Sequence, residues 1–168
     1  NIVALVDGVP QTLSLRRILE EFIAHREVVV RRRTEFDLRK AEEREHILLG
    51  LKKALDHIDA IIKTIKASKD VGTAHTALQK EFKFSALQAT AILEMRLQKL
   101  AGLERKKIED ELLEVQALIE QLKEILSSKA KIRKVIKTEL SELTEKYGDE
   151  RRTRVMAGGV KTLSIEDL

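Results

Sequence analysis

The chain has 168 residues, with 32 basic and 28 acidic side chains, a formal charge of +4, 3% aromatics, one proline and no cysteine. The missing cysteines exclude disulfides and thiolate metal sites, and no apolar run reaches the ~18 residues of a membrane span, so a soluble, cytoplasmic location is expected. A composition this rich in charge and this poor in aromatics points to long helices and coiled coils, with a core of Leu, Ile and Val.

Residues 2–6 are apolar and β-prone, Asp7-Gly8 favours a tight hairpin turn, and residues 9–13 form the return strand. Pro10 donates no backbone hydrogen bond and assigns that strand to a sheet edge. Residues 1–13 are therefore read as a β hairpin at the base of the molecule. Ser14 has the character of a helix N-cap. From Leu15 the spacing turns helical, and neither proline nor glycine interrupts until Gly50, which predicts a first arm helix over 14–57, roughly 65 Å long.

Residues 58–103 are denser in apolar side chains and read as a small globular domain of short helices. Asp59, then Asp70 or Thr73, are candidate caps, and Ser85 with Gln88 forms a capping box opening a helix that carries Leu87, Ala91, Ile92 and Met95. Gly102 is expected to end it. Small residues on one side and Ile92, Leu93, Met95 and Leu97 around the rest predict a helix covered on more than one face; a second molecule and a self-contained core are both possible covers.

The second arm helix is predicted over 104–147. Ile108, Leu112, Val115, Ile119, Leu122 and Leu126 alternate in steps of four and three, a heptad seam. Ser127-Ser128 interrupts it, giving a break near 127–131. Ile136, Leu140, Leu143 and Tyr147 then resume the spacing, and Gly148 stands where a C-terminal cap belongs. Arms of similar length predict antiparallel pairing, with His57 near Glu104 and Ser14 near Tyr147, pairing between two chains being the alternative. Residues 148–168 form a return segment and tail, in which 153–156 are β-prone and suit a third strand beside the hairpin.

Catalytic chemistry is not indicated. His25, His46, His57 and His75 are too far apart in sequence to suggest a ligand pair, the acidic pairs Glu42-Glu43 and Asp110-Glu111 belong to solvated helix faces, and Gly158-Gly159 lacks the strand-loop-helix setting of a phosphate loop. Tyr147 is read as packing at a helix end. Most basic residues have an acidic neighbour one helical turn away. Arg31, Arg32 and Arg33 are accordingly assigned to salt pairs with Glu27, Glu35 and Asp37, with DNA contact as the alternative.

Several motifs in order carry a resemblance. They are Asn1-Ile2-Val3-Ala4-Leu5-Val6-Asp7-Gly8; Arg31-Arg32-Arg33-Thr34 with Leu38-Arg39-Lys40-Ala41; His46-Ile47-Leu48 with Ala54-Leu55-Asp56-His57-Ile58-Asp59; the run from Gln88 to Leu97 continuing into Leu100-Ala101-Gly102-Leu103-Glu104; and Tyr147-Gly148-Asp149-Glu150-Arg151-Arg152-Thr153. Together they resemble the coiled-coil and exit-gate region of the A subunit of bacterial DNA gyrase, a type IIA topoisomerase. The topoisomerase IV counterpart is similar here, but Val3–Gly8 and Arg39-Lys40-Ala41 look more like gyrase.

The resemblance implies a mainly α fold: a long antiparallel two-helix coiled coil with a small helical domain at its tip and a short β hairpin at its base. It implies a homodimer whose tips form the gate through Ala89, Ile92, Leu93, Met95, Arg96 and Leu97, holding the two halves of the enzyme together and opening to release transported DNA. It further implies that this stretch is an excised fragment without the DNA-cleaving tyrosine or a cofactor of its own, ATP and Mg2+ being used by the partner B subunit. Thr90 and Ala101 depart from the family pattern, which commonly has Ala and Thr there. A generic coiled-coil scaffold is the alternative outside the family.

Overall fold

The computed structural model describes residues 2–95 and 102–153. The described chain is mainly helical, with one two-stranded antiparallel sheet. Two compact units are present, Asn1–Ile136 and Lys137–Leu168.

Strands β1 (Ile2–Val6) and β2 (Val9–Leu13) pair from Val6 opposite Val9 to Ile2 opposite Leu13. Asp7 and Gly8 both take positive φ, 50° and 79°, the backbone that matches a two-residue turn to the twist of its strands. Each strand of a two-stranded sheet is an edge, so Pro10, opposite Leu5, leaves no interior ladder position unfilled. A third strand from 153–156 falls outside the described residues, apart from Thr153, which is not in a strand.

Helix α1 runs Leu15–Asp56 without a break, about 63 Å at 1.5 Å per residue. Ser14 caps it, its Oγ accepting from the Arg17 backbone N–H. Helix α5 runs Gly102–Leu126, and α6 runs Lys129–Tyr147. From one end of the pair to the other, positions late in α1 meet positions early in its partners: Asp56 with Arg105, Arg44 with Glu111 and Glu45 with Gln116, Glu42 with Lys123, and Glu27 with Lys129 and Arg133. Such a series requires antiparallel packing. The Arg44 guanidinium grips Glu111 at both oxygens, at 2.6 and 2.8 Å, and this raises its pKa further above the ordinary arginine value.

Helices α2 (Ile58–Ala67), α3 (Val71–Phe82) and α4 (Ala86–Leu93) pack against the last turns of α1 and the first of α5. Leu48, Leu51, Ala54 and Leu55 of α1 meet Ile61, Leu78, Ala89, Ile92, Ile108 and Leu112 in the largest buried cluster. Asp70 caps α3 by accepting from the Thr73 backbone N–H at 2.7 Å, which holds its carboxyl below the usual range. Asp59 does not cap α2; the N-cap position is His57, with no side-chain bond, and Asp59 instead places an acid in the first turn. At the other end of α3, Lys83 turns the chain in the left-handed region (φ 55°), and Lys53 of α1 donates to the Phe82 carbonyl at 2.7 Å while lying 5.0 Å over the Phe84 ring.

Gly102 corrects the sequence reading: it opens α5 instead of closing the preceding helix, and α4 already ends at Leu93. In the second unit, α6 ends at Tyr147, and Gly148 donates to the Thr144 carbonyl at 2.8 Å. Gly148 is not left-handed. It is small for a steric reason, since a Cβ there would lie 2.4 Å from the Thr144 oxygen.

Candidate functional site

Helix α4 is held from three sides. Ser85 and Gln88 form a reciprocal capping box at its first turn, Ser85 Oγ accepting from the Gln88 N–H and Gln88 Oε1 from the Ser85 N–H. Gln88 Nε2 then donates to the His46 carbonyl at 2.8 Å, and His46 Nε2 lies 2.7 Å from Ser85 Oγ, so α1 fixes the entry to α4. From α3, His75 Nε2 donates to the Ala86 carbonyl at 3.0 Å. Thr90, one of the two family departures, also bonds that carbonyl through Oγ1 at 3.0 Å and lies 3.2 Å from His75. The other departure, Ala101, lies outside the described residues.

The expected gate residues separate into groups. Ala89 and Ile92 face inward, with exposures of 0% and 4%, packed into the chain's own core. Leu93 and Met95 are half-buried at its margin, as is Ala91. Leu87, on the far side of α4, is 65% exposed. Arg96 and Leu97 lie outside the described residues. Burial therefore divides a row that sequence alone presents as equivalent: a charge at Ile92 strikes the fold before it reaches any partner.

The seam residues also divide. Ile108, Leu112, Ile119 and Leu122 are buried, and Val115 is half-buried between the first cluster and a second formed by Ala41, Ile119 and Leu122. Leu126 is only half-buried, at the end of α5. After the break, Ile132 and Ile136 join Val30 in a third cluster, with Ile125 and Val135 alongside. Ile132 was not among the expected positions. Leu140 and Leu143 are exposed, at 40% and 53%, as is Tyr147.

The break itself is built from Ser127 and Ser128. Ser127 closes α5 by bonding the Glu124 carbonyl, and Ser128 caps α6 through its Oγ to the Lys131 N–H. Glu27 secures the restarted helix by binding both Lys129 and Arg133. Those bonds, Arg133 first and Lys129 second, lower its pKa below the ordinary 4.5 against the opposing effect of burial. With a depressed folded pKa, the stabilisation is complete above the usual glutamate range and is lost as pH falls through the folded value. Glu27→Gln is expected to cost below about 1 kcal/mol at neutral pH and to flatten the acid limb of stability below about pH 4.5, measured by urea titration across pH.

Engagement of Glu27 by α6 also corrects the assignment of the arginines. Arg31 and Arg32 are exposed and make no ion pair among the described residues, while Glu27 is engaged by α6. Among the described residues, no three His, Asp or Glu side chains stand close enough to hold a metal ion, and no helix is long and apolar enough to cross a membrane.

A family model describing the A subunit of DNA gyrase/topoisomerase IV matches residues 1–141. The chain belongs to this family. The DNA gyrase A subunit of Clostridium acetobutylicum is 50% identical over all 168 residues, covering 100% of this chain and 20% of that protein. Its counterparts from Staphylococcus epidermidis and Staphylococcus aureus are 48% and 46% identical, again over the whole chain and 19% of each relative. The chain spans about a fifth of the length of these curated relatives.

Proposed function

We propose that this chain is the dimerisation arm and DNA exit gate of a gyrase-like type II topoisomerase. Two copies meet through the end of α4 and the segment after it, hold the two halves of the enzyme together while a duplex is cut, and separate to release the transported duplex. In this reading cleavage, ATP and Mg2+ belong to other parts of the enzyme and to its B subunit, all in the cytoplasm.

The observation that carries the reading is the two-sided apolar character of α4. Its own core uses Ala89 and Ile92, while Leu87 remains exposed and Leu93 and Met95 are only half covered. An apolar helix that its own chain covers on one side suits a partner surface. The names of the relatives favour gyrase over topoisomerase IV.

Sedimentation equilibrium tests it. The chain is expected to be a dimer, weakened at least tenfold by Met95→Asp with helicity by circular dichroism unchanged. Leu87→Asp, on the exposed side of α4, tests the surface without touching the core. A chain that stays monomeric at high concentration, or folded variants that dimerise as before, would sink the gate and leave a coiled-coil scaffold.

A further inference from the structure

The middle of α1 is rich in positive charge. Residues 28–40 contain five basic and two acidic side chains, so most of the chain's excess of +4 arises here. Val30, Thr34 and Ala41 form the buried side of this stretch. On the opposite side, at helical spacing, stand Val28, Arg32, Phe36 and Arg39, flanked by Arg31 and Lys40. Val28 is 46% and Phe36 51% exposed. Arg39 and Lys40 lie 5.9 and 6.0 Å from the centre of the Phe36 ring, which holds two cations against one apolar face.

Elsewhere on the long helices arginines find carboxylates one turn away or across the interface, as Arg16, Arg17, Arg44 and Arg105 do. Among the described residues Arg31 and Arg32 do not, although Glu35 is one turn along and half-buried. Lys40 pairs with Glu43, and Arg39 has only the Phe36 ring among the described residues. Guanidinium groups left unpaired by nearby carboxylates on an outward helix face are suited to phosphate.

We infer that this face of α1, with Arg31, Arg32 and Arg39 as its anchors, contacts the phosphate backbone of double-stranded DNA. The inference rests on the exit-gate reading for its partner and on charge complementarity for its chemistry. A single aromatic, occupied by cations, offers no series of stacking platforms for unpaired bases, so the backbone of a duplex is the form of nucleic acid that fits. Arg32 and Arg39 are seven residues apart, about 10.5 Å along the axis, so one duplex crossing the helix reaches both.

The test measures binding of a short mixed-sequence duplex to the 168-residue chain between about 50 and 200 mM salt. The combined Arg31→Gln, Arg32→Gln and Arg39→Gln variant is expected to bind at least tenfold more weakly at the low-salt end. Its log-log salt slope should fall by about 0.9 for each phosphate contact removed. Lys66→Gln, Lys69→Gln and Lys80→Gln together remove the same charge from exposed positions in and between α2 and α3 and should leave slope and affinity near those of the parent. Equal losses in the two variants, an unchanged slope in the first, or no binding at low salt would overturn the inference. So would competition by polyglutamate as effective as by duplex. Tighter binding to a single strand, lost in Phe36→Ala, would assign the surface to base stacking instead. Molar mass in the same buffers separates the two readings. A dimer with no stripe-dependent slope retains the gate and rejects the DNA face; a monomer with that slope does the reverse.

Discussion

Leu78→Ala is expected to destabilise the chain by about 2–5 kcal/mol, the range for truncating a fully buried leucine. Leu78 has no exposed surface and lies on α3, yet its cluster includes Leu48, Leu51 and Leu55 of α1, Ile61 of α2, Ala89 and Ile92 of α4, and Ile108 and Leu112 of α5. Each neighbour belongs to a helix fixed elsewhere, so the site has little freedom to collapse around a void, and the cavity contribution remains. Urea unfolding followed by circular dichroism should show a lower midpoint. Loss below about 1 kcal/mol would mean that α3 shifts to fill the space. Because α3 supports α4 through His75, the same variant is expected to disturb the end of α4 near Met95.

The parts of this arrangement that local chemistry decides were legible in the sequence. Asp7-Gly8 needs positive φ at two residues, and Ser14, Asp70 and Ser85 each offer an oxygen to free amides at the start of a helix. The run Ile108, Leu112, Ile119 and Leu122 is continuous helix, so counting in heptads gives the correct face. After Ser127-Ser128 the count still gave Ile136 as an inward position but missed Ile132. The helix ends at Leu126 and restarts at Lys129, and Ile132, one turn before Ile136, joins it in the buried cluster with Val30. Apolar character alone also did not tell which side of α4 belongs to its own core. Ala89 and Ile92 turn inward because Gln88 and His75 fix the rotation of the helix, and neither contact is visible as a sequence pattern. The role of Arg31 and Arg32 was hidden for a related reason: carboxylates close in sequence were available, but packing committed Glu27 to α6.

Gly50→Ala is expected to destabilise the chain by about 2 kcal/mol, although helix propensity alone predicts the opposite. In a helix interior Ala is favoured over Gly by about 1 kcal/mol. Gly50 lies inside α1 and is buried, and a Cβ there would stand 2.6 Å from Gln88 Cγ and 2.9 Å from Gln88 Cβ. The second distance matters most, because Gln88 Cβ moves only with the α4 backbone; rotating the amide away does not relieve it. Forcing one methyl into a packed contact costs about 1–3 kcal/mol. Displacing Gln88 also gives up its bonds to Ser85 and the His46 carbonyl, each worth about 1 kcal/mol. The sum of these losses exceeds the propensity gain. The expected signature is a lower urea midpoint together with faster amide exchange at Ser85 and Gln88, while the α1–α5 contact below Ala41 is unaffected. Gly50→Ala with Gln88→Ala should recover part of the loss, because the second change removes the Cγ that the first meets while sacrificing the cap. A stabilised Gly50→Ala single variant would mean that α4 slides away from α1 at little cost, and that α1, Gln88 and the capping box do not fix the position from which α4 presents Leu87 and leads into Met95.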